Sequence, residues 1–261
     1  MWNIIKALNY QITRDNMTIY TCIFLIPLPF LSFILNPNGI KDLTGSIYMA
    51  NSMAENFLPA LIAALLLTTR ICGWDMNDKT INYELLYGHR RNEVFFGRIL
   101  TACVWSLVVG ILIFFLPLFF VIAINGWGES IVWTDAVIRS VLFLLPFMRQ
   151  MALFIMITFL VSNSTGGMIG SLIVFEGTLI GCELLEDSLS IECTTQTAYS
   201  NMMQMITFSN GRNQLIGGKE IPVYASELAP GMITGTIIVS MVMIFVYIGI
   251  GYLYFRKRDM N

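Results

Sequence analysis

The chain has 261 residues, of which 56% are hydrophobic and 12% are charged, and its mean hydropathy is +0.70. Soluble domains carry about 25% charged residues, so this composition excludes an ordinary soluble domain. The formal net charge of −2 identifies no partner by itself, and we expect none among nucleic acids.

An amphipathic segment occupies residues 1–16. Trp2, Ile5, Leu8 and Ile12 lie near one face of a helix, and the polar residues lie elsewhere. Such a helix can lie in the headgroup region of a bilayer, and we predict an interfacial amphipathic helix. The alternative is a cytosolic extension of the first span. Because roughly 16 polar and amphipathic residues precede the first apolar run, we expect no cleavable signal peptide.

Six stretches are long and apolar enough to cross a bilayer, whose hydrocarbon core of about 30 Å needs roughly 20 mostly apolar residues per helix. The predicted spans are residues 17–35, 57–74, 99–123, 137–161, 166–184 and 229–254. The expected fold class is therefore all-α: residues 17–261 form one polytopic membrane domain of six transmembrane helices. The short uncharged loop between the fourth and fifth spans predicts a tight helical hairpin.

Lysine and arginine are unevenly distributed between the segments that join these spans. With a cytoplasmic amino terminus, the inner set is Lys6, Arg14, Arg70, Lys79, Arg90, Arg91, Arg98, Arg256, Lys257 and Arg258, and the outer set is Lys41, Arg139, Arg212 and Lys219. Cytoplasmic loops carry an excess of these residues. We therefore predict that both termini are cytoplasmic, in a multi-pass protein of a bacterial plasma membrane.

Two ionisable residues fall well inside predicted spans, Arg149 in the fourth and Glu176 in the fifth. At 1.5 Å per residue, both lie roughly 15 to 20 Å from the inner surface. Because a lone charge in lipid is costly, we predict an ion pair that locks this hairpin, with Gln150 as an additional hydrogen-bond donor. The alternative is that one of the two charges contacts a polar cargo or couples closure of a cavity.

The longest outer segment, residues 183–227, is too long for a plain connection. We predict one or two short helices in it, near residues 199–208. Cys182 and Cys193 both fall at the outer end of the fifth span or beyond it, where an oxidising environment would permit a disulfide between them.

Catalytic motifs are missing from the sequence. It has one histidine, no paired carboxylates within the spans and no GxxxxGK[ST] phosphate loop. Membrane-embedded hydrolases need positioned acids, bases or metal ligands, and ATP hydrolysis needs the phosphate loop. We therefore expect no enzyme activity, no metal site and no cofactor bound by this chain.

The segment of residues 75–98, between the second and third spans, is dense in charge. In order it gives Asp75, then Lys79-Thr80-Ile81, then Glu84-Leu85-Leu86, then Gly88-His89-Arg90-Arg91, and finally Phe96-Gly97-Arg98 at the entry to the third span. Ile81, Leu85 and Leu86 fall at helical spacing, which predicts a short amphipathic helix. An alternative function for such a basic loop is to anchor to anionic lipid.

This order of residues resembles the permease subunits of type 2 ATP-binding-cassette (ABC) exporters. In that family an acidic residue precedes a Gly-Thr-Ile/Leu step, a Leu-Leu pair, a Pro-x-Ser-Arg turn and a Gly-Lys entry to the third helix. Here Lys79 replaces the glycine, Gly88 the proline, Arg90 the serine and Arg98 the lysine. The resemblance also covers the layout of the chain, from the amino-terminal helix to the enlarged outer segment before the last span.

The resemblance implies a coupling helix at about residues 79–88 that sits in a groove of a separate ATPase subunit. The implied coupling residues are Asp75, Lys79, Thr80, Ile81, Glu84, Leu85, Leu86, Gly88 and Arg91. ATP and magnesium would bind to two copies of that ATPase, and a second permease, identical or homologous, would complete the complex in the lipid bilayer. In size and composition the chain is most similar to bacitracin and lantibiotic export or immunity permeases, whose cargo is an amphipathic peptide, an antibiotic or a lipid-like compound.

Two other functions stay open. A secondary transporter or channel driven by an ion gradient would need intramembrane acids along its pathway, and Glu176 is one such residue. A membrane sensor or scaffold would fit the basic cytoplasmic face. A neighbouring gene that encodes an ATPase would favour the exporter.

Overall fold

The computed structural model describes residues 1–35, 43–77, 84, 86–189, 197–216, 219–225, 228 and 231–257. Most of these residues are helical. In chain order the helices are α1 (Trp2–Ile12), α2 (Asn16–Leu25), α3 (Leu31–Leu35), α4 (Gly45–Asn51), α5 (Phe57–Asn77), α6 (Arg91–Asn125), α7 (Trp133–Val161), α8 (Ser164–Leu189), α9 (Ala198–Ile206) and α10 (Met232–Lys257). Short 3₁₀ helices at Leu28–Phe30 and Met53–Asn56 precede α3 and α5.

Five helices of the described chain are long and apolar enough to cross a membrane: Met53–Trp74, Arg91–Asn125, Trp133–Val161, Ser164–Cys182 and Met232–Lys257. They coincide with the second to sixth predicted spans, so the helical character of the chain is confirmed, and the five helices are compatible with a multi-pass membrane protein. α7 ends at Val161 and α8 begins at Ser164, which confirms the tight hairpin. Ser162 makes the turn in the left-handed conformation with φ 59°.

The first predicted span is not one continuous helix. α2 ends at Leu25, a turn follows, and the chain resumes as the 3₁₀ helix Leu28–Phe30 and then α3. Pro27 and Pro29 cause this break, because proline lacks the amide hydrogen of a helical bond and its ring clashes with the preceding turn. The longest apolar helical run in this region is Asn16–Phe30, which is shorter than the other five candidates.

α1 is amphipathic, as predicted, but its apolar face packs on the protein. Ile4, Ile5, Leu8 and Ile12 are buried, whereas the side chain of Trp2 is 65% exposed. A side chain at Gly97 of α6 would meet Ile4, since a Cβ there would lie 3.2 Å from it. The glycine thus lets α1 approach α6 closely. Most apolar side chains of α1 therefore contact other helices of the protein instead of lipid.

The main core lies between α5, α6, α7 and α9 and is rich in aromatic rings. The rings of Phe114 on α6 and Phe143 on α7 meet edge-on with centroids 4.5 Å apart. Phe147 lies against Gly110, where an added Cβ would come within 2.7 Å of the ring. A second core cluster joins α1, α5, α6, α7 and α10. The two clusters fix the long helices relative to one another.

A two-stranded antiparallel hairpin follows α9, and the all-α prediction lacked it. β1 (Ser209–Ile216) pairs with β2 (Lys219–Ala225), from Ser209 opposite Ala225 to Ile216 opposite Lys219. Tyr224 ties the hairpin to the helices, because its amide donates to the Ser130 carbonyl and its hydroxyl donates to Asn51 at 3.0 Å. α9 itself confirms the short helix that was predicted within residues 199–208.

The first and last helices meet at one end of the bundle. The terminal amine of Met1 lies 3.5 Å from the carboxylate of Glu93, in the first turn of α6. In the same turn, Arg91 donates a hydrogen bond of 3.0 Å to the carbonyl of Arg256, near the end of α10. The amino terminus and the end of α10 therefore lie beside the start of α6.

Candidate functional site

The segment that enters α6 is held by a buried ion pair. The side chain of Arg98 is fully buried, and its Nη2 donates to Oε1 of Glu84 at 2.9 Å. Its Nη1 donates to the carbonyl of Ile71 on α5 at 3.4 Å. Arg98 therefore connects three pieces of chain: α5, α6 and the segment between them. The resemblance gave Arg98 only as the residue that replaces a lysine at the entry to the third span, and the structure buries its side chain.

Next to this anchor, apolar side chains are presented to the outside. Leu86 is 80% exposed and Tyr87 is 85% exposed. Gly88 follows with φ +90° and open space around it, a conformation that glycine adopts without strain. Single exposed apolar residues are common on proteins. Here two consecutive apolar residues lie on a turn that begins two residues after Glu84, which is anchored to Arg98. They form a defined contact surface, here called the tip (residues 86–88).

The start of α6 is fixed by Glu93. Its Oε2 accepts from the backbone amide of Arg90 at 3.4 Å and lies 3.7 Å from the Nδ1 of His89. Its other oxygen faces the amine of Met1. His89 is thus a partly exposed neighbour of a carboxylate at the entry to a helix.

The structure describes some of the predicted coupling residues and not others. Glu84, Leu86, Gly88 and Arg91 lie together at the α6 entry, with the tip exposed and Glu84 turned toward Arg98. The backbone of Asp75 belongs to the last turn of α5. Lys79, Thr80, Ile81 and Leu85 lie outside the described residues, so the coupling helix at residues 79–88 stays a prediction.

A second charged cluster, not found from the sequence, joins the start of α2 to α5. Arg70 donates from Nε and Nη2 to the two oxygens of Asp15, at 3.1 and 2.6 Å. The guanidinium also stacks on Trp74 at 3.2 Å from the ring centroid. Asp15 caps α2 by accepting from the amide and hydroxyl of Thr18.

Burial opposes ionisation of Asp15, but the hydrogen bonds from Arg70 and Thr18 outweigh burial, so the pKa of Asp15 is lowered. The carboxylate is therefore charged at neutral pH. The spacing of Asp15 and Thr18 is a capping pattern that is visible in the sequence. The pairing of Asp15 with Arg70, 55 residues away, is not visible there.

The predicted ion pair between Arg149 and Glu176 is not formed. Arg149 is 3% exposed, and its guanidinium hydrogen bonds to Tyr247 of α10. The side chain of Glu176 is exposed on α8, whereas that of the preceding residue, Phe175, is buried in the core. Successive helical residues are turned by about 100°, so the buried Phe175 and the exposed Glu176 face different directions, which counting residues from the helix ends did not predict.

Arg149 instead lines a cavity of about 360 Å³ between α7, α8, the first turn of α9 and α10. Gln150, which was predicted to assist the ion pair, lines the same cavity, as does Tyr247. Cys182 is half-buried at its α8 wall, and Cys193 lies outside the described residues, so the predicted disulfide stays a prediction.

No cluster of three or more His, Cys, Asp and Glu side chains that could hold a metal ion is present in the described part of the chain. No protein-family model matches the sequence, and no curated protein is significantly similar to it. The fold and the composition define the chain as a helical protein whose five long apolar helices are compatible with a multi-pass membrane protein.

Proposed function

We propose that this chain is the membrane-spanning permease subunit of an ATP-driven ABC exporter and that residues 79–88 dock on a separate ATPase subunit. The observation that carries the proposal is the tip, where exposed Leu86 and Tyr87 follow directly on the Glu84–Arg98 anchor. A docking element must present apolar groups to its partner and must be fixed to the moving helices. Through Arg98 and Ile71, this segment is fixed to both α5 and α6.

The proposed topology has six crossings with both termini in the cytoplasm of a bacterial cell. The contacts of Met1 and Arg256 with the start of α6 support it, because the amino terminus and the end of α10 then lie on one side. The first crossing in chain order is residues 17–35, as a helix broken at Pro27 and Pro29. The excess of lysine and arginine at this end favours the cytoplasmic side.

In this proposal ATP and magnesium are held by two copies of the ATPase, and a second permease, identical or homologous, completes the pathway. Closure of the ATPases pushes on the tip and moves α5 and α6. The cargo is an amphipathic peptide, an antibiotic or a lipid-like compound that leaves the membrane or the cell.

The competing function, transport driven by an ion gradient, needs a carboxylate that faces a pathway. Glu176, the acid considered for that role, is exposed on α8 and does not line the cavity beside Arg149. The position of Glu176 therefore favours the exporter over a gradient-driven transporter.

The test is coexpression of this chain with a candidate ABC ATPase subunit, followed by copurification and a vanadate-sensitive ATPase assay. Wild-type protein should retain the ATPase, and the Leu86→Asp and Tyr87→Asp variants should lose it. Leu215→Asp is the matched control, because Leu215 is an equally exposed leucine (73%) on the distant strand β1. Equal recovery of the ATPase with both tip variants and with the control would refute docking at the tip.

A further inference from the structure

Glu176 is an exposed carboxylate within an apolar helix. It lies twelve residues after Ser164, the first residue of α8, which is about 18 Å at 1.5 Å per residue. In the proposed topology this depth falls inside the hydrocarbon core of about 30 Å. In the most apolar part of α8, 17% of the residues are buried by the described chain, against 72% in α7. α8 therefore presents Glu176 to whatever lies outside the fold.

The residues around this carboxylate form an apolar stripe along α8. Ile169, Ile173 and Ile180 follow one another at helical spacing on the same face as Glu176, and they are 51, 66 and 55% exposed. A Cβ at Gly177 would meet nothing within 4 Å, so there is open space beside the carboxylate. This surface, here called the outward stripe (Ile169, Ile173, Glu176 and Ile180), thus joins one acidic group to a broad apolar face.

A charge in this position needs a partner. Acidic side chains within membrane spans almost always face the interior of the bundle and pair there, because a lone charge in lipid is costly. In the described part of the chain, no Lys or Arg lies within ion-pair distance of Glu176, and Arg139 and Arg149 of the neighbouring α7 are each 3% exposed. We propose that the outward stripe binds a hydrophobic organic cation, whose charge pairs with Glu176 and whose apolar body covers the isoleucines.

The depth of Glu176 restricts the kind of cation. An inorganic cation does not enter hydrocarbon, because removal of an isolated charge from water is very costly. The ammonium groups of lipids lie at the headgroup level, outside the hydrocarbon core. A cation that reaches Glu176 must therefore carry its charge within an apolar body, as aromatic phosphonium and quaternary ammonium ions do.

A second copy of this chain fits the outward stripe less well than a cation does. A symmetric pair of subunits brings the same surface patch of both subunits together, so docking through this stripe would oppose Glu176 and its own counterpart. Like charges repel, and the repulsion is strongest where the dielectric constant is low. Charge complementarity therefore favours an organic cation. That this cation is transported cargo rests on the exporter function proposed above, but its binding needs no ATPase.

The experiment uses the full chain, purified without any ATPase in nanodiscs of neutral lipid. The probe is radiolabelled tetraphenylphosphonium, and the matched control is tetraphenylborate, which has a similar size and shape but a negative charge. Binding is the amount retained by nanodiscs that contain the chain, above the amount retained by empty nanodiscs of the same lipid. Binding of the phosphonium should exceed that of the borate at least about tenfold, because opposite charges attract strongly where the dielectric constant is low.

Paired variants test the carboxylate and the apolar surface separately. Glu176→Gln should lower phosphonium binding at least about tenfold, whereas Glu176→Asp keeps the charge and should retain the preference for the cation. Glu129→Gln is the matched control, because it removes the same charge from an exposed residue in the loop between α6 and α7, and it should bind like the wild type. Ile173→Ala should weaken binding by a smaller factor, and Ile238→Ala, at an isoleucine of α10 that is 57% exposed, should not.

Three results would overturn the proposal. They are equal binding of the phosphonium and the borate, equal loss of phosphonium binding in Glu176→Gln and Glu129→Gln, or native mass spectra that show two associated chains in the wild type and one in Glu176→Gln with unchanged phosphonium binding. The last result would identify the outward stripe as a contact between copies of the chain. Because the assay contains no ATPase, its failure would leave docking at the tip intact, and a failure of docking would leave the binding result intact.

Discussion

Replacement of Arg98 by methionine should release the tip from the helices. Methionine keeps the length of the aliphatic stem but removes the donors to Glu84 and to the Ile71 carbonyl. Removal of one partner of a buried ion pair costs about 3–5 kcal/mol. Here the Glu84 side chain remains 29% exposed and can be hydrated, so we expect about 2–3 kcal/mol for local opening of the segment.

This opening is measurable by amide hydrogen exchange over residues 86–94. Because every 1.4 kcal/mol is a factor of ten, exchange should accelerate about 30- to 140-fold in Arg98→Met if these amides exchange by local opening. Arg90→Met is the matched control, since Arg90 is an exposed residue of the same segment and surface substitutions usually stay within about 0.5 kcal/mol. Copurification of the ATPase should fall in Arg98→Met and be retained in Arg90→Met.

The double variant Arg98→Met with Glu84→Met distinguishes a lost ion pair from a general packing defect. Replacement of a buried ion pair by apolar residues is often neutral or stabilising. In the double variant, the protection of these amides from hydrogen exchange should therefore largely return. Unchanged exchange in Arg98→Met, or a double variant no better protected than the single one, would refute the anchoring role of Arg98.

Two further predictions concern the helices around this site. The pKa of Asp15 is lowered in the folded protein. Its ionised carboxylate therefore stabilises the fold above the ordinary pKa of about 3.9, and this stabilisation is lost as the pH falls through the folded-state pKa. Asp15→Asn should lower the thermal midpoint near pH 7 and remove the part of the acid dependence of that midpoint that comes from Asp15. Gly110→Val should destabilise the protein by about 1–3 kcal/mol, because a Cβ there lies 2.7 Å from the ring of Phe147, whereas Gly249→Val, with open space around it, should leave the thermal midpoint nearly unchanged.

Length and hydropathy were sufficient to predict the five long helices, because each is a continuous apolar run that no other structure accommodates in lipid. The same reasoning joined α2 and α3 into one span, although Pro27 and Pro29 marked the break. The hairpin was also signalled, since Gly217 and Gly218 form a two-residue sequence typical of tight hairpin turns between β1 and β2. Its strands carry many polar residues, which hid the signal.

The side-chain contacts of the charged residues could not be predicted from the sequence. Counting residues predicted the depth of Arg149 and Glu176 but not the direction in which each side chain points, and that direction decides whether a pair forms. The sequence indicated that Arg98 borders an apolar run but not that Glu84 and the end of α5 contact it. Contacts such as Arg70 with Asp15 depend on packing between distant segments, which no local pattern encodes.

The start of α6 is a junction of four helices. Within its first two turns, Glu93 faces the amine that precedes α1, Arg91 holds the end of α10, and Arg98 reaches back to α5. A displacement of the tip would therefore shift α1, α5, α6 and α10 together. At the opposite end, Tyr224 fastens the hairpin to Asn51 and Ser130. The chain would then respond to a push at one end by tilting around contacts at the other.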